Sequence, residues 1–159
     1  MALFFEYDVC LLITTVDLQL RVLFLLRCLH TSRSSSEGMC QVGVCYINGN
    51  YVKTDYSEAL KWFRKALNQD VVSTSAYYYL GMCYNEGFGV SKNHTEAVKY
   101  FRKSAELDYD RAQYNLGVSY LKGIGVAKNQ NEAIRWLKMA AEQGNEEAKD
   151  ALKKLNVRY

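Results

Sequence analysis

The sequence predicts an all-α protein, an α/α solenoid of about three helix-turn-helix repeats closed by a C-terminal helix. Three observations predict this fold. A stretch of about 36 residues recurs along the chain, alanine and aromatic residues recur within it at helical spacing, and glycine and asparagine stand at fixed places between the helical stretches. The chain has no proline, so glycine and asparagine must begin and end its helices.

Two adjacent segments resemble each other closely. Residues 76–111 overlay residues 112–147 at a shift of 36 positions, with 14 identities. The identical pairs are Ala76/Ala112, Tyr78/Tyr114, Leu80/Leu116, Gly81/Gly117, Tyr84/Tyr120, Gly87/Gly123, Gly89/Gly125, Val90/Val126, Lys92/Lys128, Asn93/Asn129, Glu96/Glu132, Ala97/Ala133, Ala105/Ala141 and Glu106/Glu142. A degenerate third copy lies upstream at a shift of 38, where Tyr51 replaces the second loop glycine. We therefore divide a repeat domain at 38–159 into units 38–75, 76–111 and 112–147, with a cap at 148–159.

Each unit begins with a predicted helix. In the second unit Ala76, Leu80 and Tyr84 lie four residues apart, along one side of that helix. Gly81 costs about 1 kcal/mol relative to alanine in a helix, which predicts that a neighbouring backbone packs too closely there for a side chain. Gly87 is predicted to end the helix, because glycine readily adopts the left-handed conformation that helix ends require.

A capping signal precedes the second helix of every unit. The pairs are Asp55 with Glu58, Asn93 with Glu96, and Asn129 with Glu132. We expect each cap side chain to accept from the amide three residues on, and each glutamate to reach back to the cap amide. Small residues then alternate with bulky ones at helical spacing: Ala59, Trp62, Phe63 and Ala66; Ala97, Tyr100, Phe101 and Ala105; Ala133, Trp136, Leu137 and Ala140. Only stacking on a neighbouring unit buries such faces, which predicts a solenoid.

The repeat begins once more after residue 147 and then departs from the pattern. Ala148 and Leu152 keep it, but Lys153 replaces the glycine and Asn156 the tyrosine. A terminal repeat with a polar outer face closes an array, so we expect a capping helix here.

These residues resemble the SLR (Sel-one-like repeat) family, a branch of the tetratricopeptide-type solenoids. The resemblance rests on AYYYLGMCYNEGFGVSKNHTEAVKYFRKSA from Ala76 and AQYNLGVSYLKGIGVAKNQNEAIRWLKMAAEQGN from Ala112, with a 36-residue period. It covers about residue 38 to the C-terminus. The resemblance implies a scaffold or adaptor in protein complexes, and it leaves the pathway open.

Residues 1–37 do not follow the repeat. The stretch 16–29 is apolar enough for a divergent helix, and residues 30–37 suggest a Ser-rich linker. Acidic residues near the start, Glu6 and Asp8, argue against a signal peptide. Charges interrupt every apolar run before the ~20 residues that a membrane span needs. We expect no membrane partner and a cytoplasmic location, or a secreted or membrane-associated one if this segment acts as a leader.

The small net charge of the chain does not favour a polyanionic partner. The chain has 20 Lys and Arg against 17 Asp and Glu, a net charge of +3, which gives no reason to expect a nucleic acid partner. The one modest basic cluster comprises Lys149, Lys153, Lys154 and Arg158, and we interpret it as the solvated side of the last helix. We expect a protein or peptide partner, no small-molecule substrate and no cofactor.

The cysteines and histidines predict neither a metal site nor a catalytic one. The five cysteines are Cys10, Cys28, Cys40, Cys45 and Cys83, an odd set without CxxC spacing, so we expect reduced thiols and no zinc. His30 and His94 stand in unrelated contexts, and His94 is expected to be solvated. The GFG and GIG loops follow helices, whereas a dinucleotide fingerprint follows a strand. No catalytic residue is therefore proposed, and we expect no enzyme.

Variable positions on the first helices are the candidate partner-binding residues. Residues identical between units hold the array together, while variable ones are free to specialise. At i, i+3 and i+7 they form a stripe: Gln41, Val44 and Asn48; Tyr79, Met82 and Glu86; Asn115, Val118 and Lys122. If the first helices line the concave face, this stripe forms a groove for a peptide or helix. The identical Tyr78 and Tyr114 are interpreted as packing residues.

Two alternatives to a scaffold stay open. The chain could be an accessory segment of a larger enzyme or signalling assembly, since such repeats are often fused to catalytic domains in related proteins. It could also be a secreted cysteine-rich, hydrolase-like repeat protein, from a branch of the family that carries a disulfide in each repeat. Cys45 and Cys83 speak against that branch, because they occupy equivalent places in adjacent units, about 8 to 10 Å apart.

Overall fold

A computed structural model describes residues 35–50, 52–68 and 73–158, and this part of the chain is helical, without strands. Its helices are α1 (Ser36–Asn48), α2 (Tyr56–Leu67), α3 (Thr74–Glu86), α4 (His94–Glu106), α5 (Asp110–Lys122), α6 (Gln130–Glu142) and α7 (Glu146–Lys154). Each helix packs against the next along the chain, and α1 also contacts α3. The predicted all-α solenoid is confirmed: α1/α2, α3/α4 and α5/α6 are the units, and α7 is the cap.

The first helix of every unit ends at glycine, as predicted. Gly49, Gly87 and Gly123 adopt left-handed conformations with φ of 70°, 82° and 72°. The amides of Gly87 and Gly123 donate to the carbonyls of Cys83 and Ser119 at 2.8 Å. These residues close the last turn of the helix and direct the chain into the loop.

At the caps of the second helices, one of the two predicted hydrogen bonds is present. Asp55, Asn93 and Asn129 accept from the amides of residues 58, 96 and 132 at 3.0, 3.1 and 3.2 Å. The predicted return hydrogen bond, in which the cap amide donates to the glutamate side chain, is wrong, because the cap amides donate to backbone carbonyls of the preceding helix. The Asn93 amide, for example, donates to the Tyr84 carbonyl at 2.8 Å. The glutamates pair instead with Lys61, Lys99 and Arg135, three residues on.

The glycine within each first helix makes room for a side chain of the second helix. A Cβ built at Gly81 would lie 2.5 Å from Cδ1 of Phe101, and one at Gly117 would lie 2.8 Å from Cγ of Leu137. Gly43 faces Phe63 in the same way. The predicted close approach is present, but at Gly81 the neighbour is an aromatic ring and not the backbone we expected.

The second loop glycine joins one unit to the preceding one. Gly89 and Gly125 have φ of 69° and 70°, and they lie against the backbone carbonyls of Tyr56 and His94, the first residues of α2 and α4. His94 is half-buried, and its Nδ1 lies 2.9 Å from Oδ1 of Asn85. His94 is therefore only partly solvated, and not fully as we expected, because its ring meets Asn85 of α3 and its carbonyl lies against Gly125.

Within the described residues three apolar clusters form the core, and each spans a unit boundary. Phe63 and Leu80 belong to the first, which joins α2 to α3; Phe101 and Leu116 belong to the second, which joins α4 to α5. Leu137 and Leu152 belong to the third, which joins α6 to the cap. The units therefore share their cores, and the array is held by burial between neighbours.

The helices begin two residues before the units as we divided them. Thr74, Asp110 and Glu146 are the first residues of α3, α5 and α7. The helix α1 begins at Ser36, with Ser35 as its N-cap, inside the stretch predicted to be a linker. Residues 1–34, for which we predicted a divergent helix and the rest of that linker, lie outside the described residues. No helix in the described part is long and apolar enough to cross a membrane.

Candidate functional site

The stripe residues of the first helices divide into an exposed and a half-buried set. The exposed ones are Gln41, Asn48, Glu86 and Lys122, and the half-buried ones are Val44, Tyr79, Met82, Asn115 and Val118. All nine therefore keep some surface accessible to a partner. The structure brings Met82 and Asn115 together, since Nδ2 of Asn115 donates to Sδ of Met82 at 3.7 Å across the boundary between the second and third units.

Tyr79 also has a packing role. Its ring stacks on Phe63 with the centroids 5.0 Å apart and the planes 12° apart. It meets Tyr78 edge-on at 5.2 Å, and Tyr78 lies 5.2 Å from Tyr109. Burial raises the pKa of all three tyrosines, that of Tyr109 to about 12, so their hydroxyls stay protonated and remain hydrogen-bond donors.

A groove of about 570 Å³ lies where α3, α5 and the start of α7 meet. It is lined by Tyr78, Asp110, Arg111, Tyr114, Asn115, Gly144, Asn145, Glu146 and Glu147. Among the stripe residues only Asn115 lines it. Sequence reasoning assigned Tyr78 and Tyr114 to packing, because they recur between units. Their rings do pack against the second and third clusters, but they also line the groove.

The charges of this groove differ in their surroundings. Asn145, the N-cap of α7, donates from Nδ2 to Oδ2 of Asp110 at 2.9 Å, which ties the two helices together. Glu146 pairs with Lys149 at 2.8 Å. Arg111 and Glu147 are exposed, and neither forms an ion pair within the described residues. Desolvation raises the pKa of Tyr78, and the positive charge of Arg111 lowers it by a smaller amount.

The described cysteines offer no activated nucleophile. Cys40 and Cys83 are buried and form no disulfide within the described residues, and Cys45 is buried as well. Burial raises the pKa of Cys40 to about 11 and that of Cys83 to about 12, so these thiols stay protonated at neutral pH. Within the described residues no group of three or more His, Cys, Asp or Glu side chains could hold a metal ion.

The repeated helical pairs match a known family model along most of the described chain. The Sel1 repeat matches residues 36–71, 74–109 and 110–145. This chain belongs to the Sel1-repeat family. The family's units begin where the helices begin, two residues before our divisions. Sel1-repeat proteins are generally scaffolds for protein interactions, and their solenoid is typically not an enzyme.

Solved structures of Sel1-repeat proteins resemble this one. A protective antigen of uropathogenic Escherichia coli strains with an SLR fold is 33% identical, with a TM-score of 0.73, over 80% of this chain and 27% of that one. A Sel1 repeat protein from Oxalobacter formigenes is 36% identical, with a TM-score of 0.65, over 71% of this chain and 46% of that one. The chain thus spans about a quarter to a half of their lengths.

A third structure shares the fold alone. Cysteine-rich protein B of Helicobacter pylori is 21% identical, with a TM-score of 0.62, over 86% of this chain and 95% of that one. Among curated proteins no sequence matches this chain significantly. The Sel1-repeat comparisons establish the architecture and the general role of such repeats, and they name no partner.

Proposed function

We propose that this Sel1-repeat chain is a scaffold or adaptor that binds a peptide or helix of a partner protein on the face of its first helices, α1, α3 and α5, and that it works without catalysis or a cofactor. The observation that carries this proposal is the placement of the nine stripe residues. They occupy positions that vary between units, and they keep accessible surface, although Val44, Tyr79 and Met82 also pack against the shared cores.

The chemistry of the stripe supports a protein partner. Met82 offers a polarizable, adaptable apolar surface, and Tyr79 combines a ring with a hydroxyl. Asn115 brings an amide next to Met82, so apolar contact and hydrogen bonding are available at the same place. At the edge of this surface, Glu86 and Lys122 add one charge of each sign, which could fix the register of a bound segment.

Affinity purification of the full chain with mass spectrometry tests the proposal. It is performed on the wild type, on three stripe variants and on one control variant. Glu86→Lys and Lys122→Glu reverse exposed charges on the stripe, and Asn115→Ala removes its amide. The matched control is Glu106→Lys, an exposed residue at the end of α4, a second helix. We expect the stripe variants to lose partner proteins that the wild type and the control both bind. The helicity of the three stripe variants and of the control should equal that of the wild type.

Two results would contradict the proposal. One is a set of partners that the stripe variants retain but Glu106→Lys loses, which would place binding on the second helices. The other is a set of partners that no substitution on either face affects. In both cases the first helices would have no recognition role.

We further propose that the chain works in a reducing, cytoplasmic environment. The buried thiols of Cys40 and Cys83, which form no disulfide within the described residues, support this, because oxidising compartments favour disulfides. A free-thiol count on denatured protein taken from its native cells tests it. Five free thiols are expected, and a disulfide involving Cys40 or Cys83 would contradict the proposal.

A further inference from the structure

We infer that the groove between α5 and α7 binds an extended peptide of a partner protein that carries one acidic and one basic side chain, the acidic one against Arg111 and the basic one against Glu147. This inference rests on the proposed function, since it specifies the chemistry of the segment that the scaffold recognises. It also places the centre of recognition beyond the stripe, at the end of the array.

Arg111 and Glu147 are the exposed charges of the groove that form no ion pair within the described residues. Asp110 forms no ion pair there either, but it is half-buried and accepts a hydrogen bond from the neutral amide of Asn145, and Glu146 pairs with a lysine of its own helix. A charge without a partner loses little intramolecular stabilisation when a ligand pairs with it. Among its exposed side chains, the groove therefore offers a ligand one unpaired cation, Arg111, and one unpaired anion, Glu147.

The two charges stand at equivalent places in successive repeats. They are 36 residues apart in the sequence, and each is the second residue of its helix. The start of α7 lies beside the start of α5, since Nδ2 of Asn145 donates to Oδ2 of Asp110 at 2.9 Å. An extended chain rises about 3.3 Å per residue and points every second side chain to the same face, so side chains two positions apart lie about 7 Å apart on one face. A peptide that crosses from α5 to α7 can thus pair with both charges.

The surface between the charges suits a peptide. Tyr78 and Tyr114 are half-buried and contribute apolar ring surface with a polar tip. Asn115 adds an amide that can donate to and accept from a peptide backbone. The volume of about 570 Å³ lies in the range of pockets that enclose small ligands, so it accommodates a few residues and not a folded domain.

A charge swap tests the inference. Phage display of random linear peptides is performed on the immobilised full chain, on the double variant Arg111→Glu with Glu147→Arg, and on a control. The control, Lys138→Glu with Glu142→Lys, swaps two charges on α6 and keeps the net charge. All three proteins are compared by circular dichroism first.

We expect the wild type and the control to enrich peptides with an acidic and a basic residue two positions apart, in one sequence order. The charge-swapped variant should enrich the opposite order. It should bind the wild-type peptides about tenfold or more weakly, because two attractive pairs become two repulsive ones.

Other outcomes separate this inference from the proposed function. Peptides that bind the first helices but lack the charge pair, or that have the same order on the swapped variant, would overturn the inference alone. A wild type that enriches no peptide would overturn the inference, and the affinity purification described above decides the proposed function separately. A dimer in analytical ultracentrifugation that the swap abolishes would make the occupant a second copy of this chain, and that too would overturn the inference.

Discussion

Gly89 lies against Tyr56 so closely that a Cβ on Gly89 would come within 2.6 Å of the Tyr56 carbonyl oxygen. The loop of the second unit thereby rests on the first turn of the preceding second helix, and Phe88 stacks on the Tyr56 ring at 4.5 Å. Gly125 repeats the arrangement on the carbonyl of His94. The second loop glycine thus serves stacking between units as well as the turn.

Replacing Gly89 should weaken the array more than replacing a glycine of similar backbone conformation in open space. Gly89→Ala combines a positive φ with a clash against backbone, whereas Gly144→Ala has a φ of 94° and meets nothing within 4 Å. We expect about 1 kcal/mol of destabilisation for Gly144→Ala and about 2–4 kcal/mol for Gly89→Ala. Urea unfolding followed by circular dichroism measures both. Equal losses would show that the contact between loop and helix contributes nothing.

The glycines inside the first helices lead to a different prediction. The sign of the stability change on replacing Gly81 should depend on the side chain at position 101. Gly81→Ala forces a methyl group into the Phe101 ring, so we expect a loss of about 1–3 kcal/mol. In a Phe101→Ala background the ring is gone, and alanine at position 81 should stabilise by up to about 1 kcal/mol through its helix propensity. A double-mutant cycle by denaturant unfolding measures the coupling. A loss of the same size in both backgrounds would contradict this interpretation.

The periodicity and the helix ends were predictable because they depend on local chemistry. Gly87 ends a helix through its own backbone freedom, and Asn93 caps one through an amide three residues away. The return bond from Glu96 failed for a non-local reason: the path of the loop brings the Tyr84 carbonyl to the Asn93 amide first. No pattern within four residues contains that information.

The groove was missed for a related reason. Identity of Tyr78 and Tyr114 between units indicated packing, but one tyrosine can pack its ring and still expose part of it to a groove. Arg111 and Glu147 differ between units, yet they lie outside the stripe spacing that we applied to the first helices. Only the meeting of three helix segments shows that these side chains share a surface.

The observed caps predict unequal contributions from the two residues of each capping signal. Asn93→Ala removes the acceptor for the residue 96 amide, and we expect it to cost about 1 kcal/mol. Glu96→Ala loses only an exposed pair with Lys99, so its effect should be smaller and should vanish at high salt. Thermal melts at low and at 1 M salt distinguish the two variants. A larger effect for Glu96→Ala would indicate that the reciprocal box forms after all.

The buried thiols predict a loss of stability in alkaline solution. Burial raises the pKa of Cys83 from its ordinary value of 9.0 to about 12, and that of Cys40 to about 11. Between pH 9 and 11 the unfolded chain therefore releases these protons while the folded chain keeps them. The unfolded state then binds fewer protons, so the free energy of unfolding falls as pH rises through this window. Buried tyrosines such as Tyr109 shift in the same direction at higher pH.

Cys83→Ala should reduce this alkaline loss, whatever it does to stability at neutral pH. The measurement is the difference in melting temperature between pH 8 and pH 10.5, followed by circular dichroism, for the wild type and the variant. Because the alanine cannot ionise, the unfolded state of the variant has one proton fewer to release, and its melting temperature should fall less. Val98→Ala is the control, since it truncates a buried side chain that cannot ionise; it should retain the wild-type difference. An alkaline loss as large in Cys83→Ala as in the wild type would mean that this thiol ionises as readily in the folded chain as in the unfolded one.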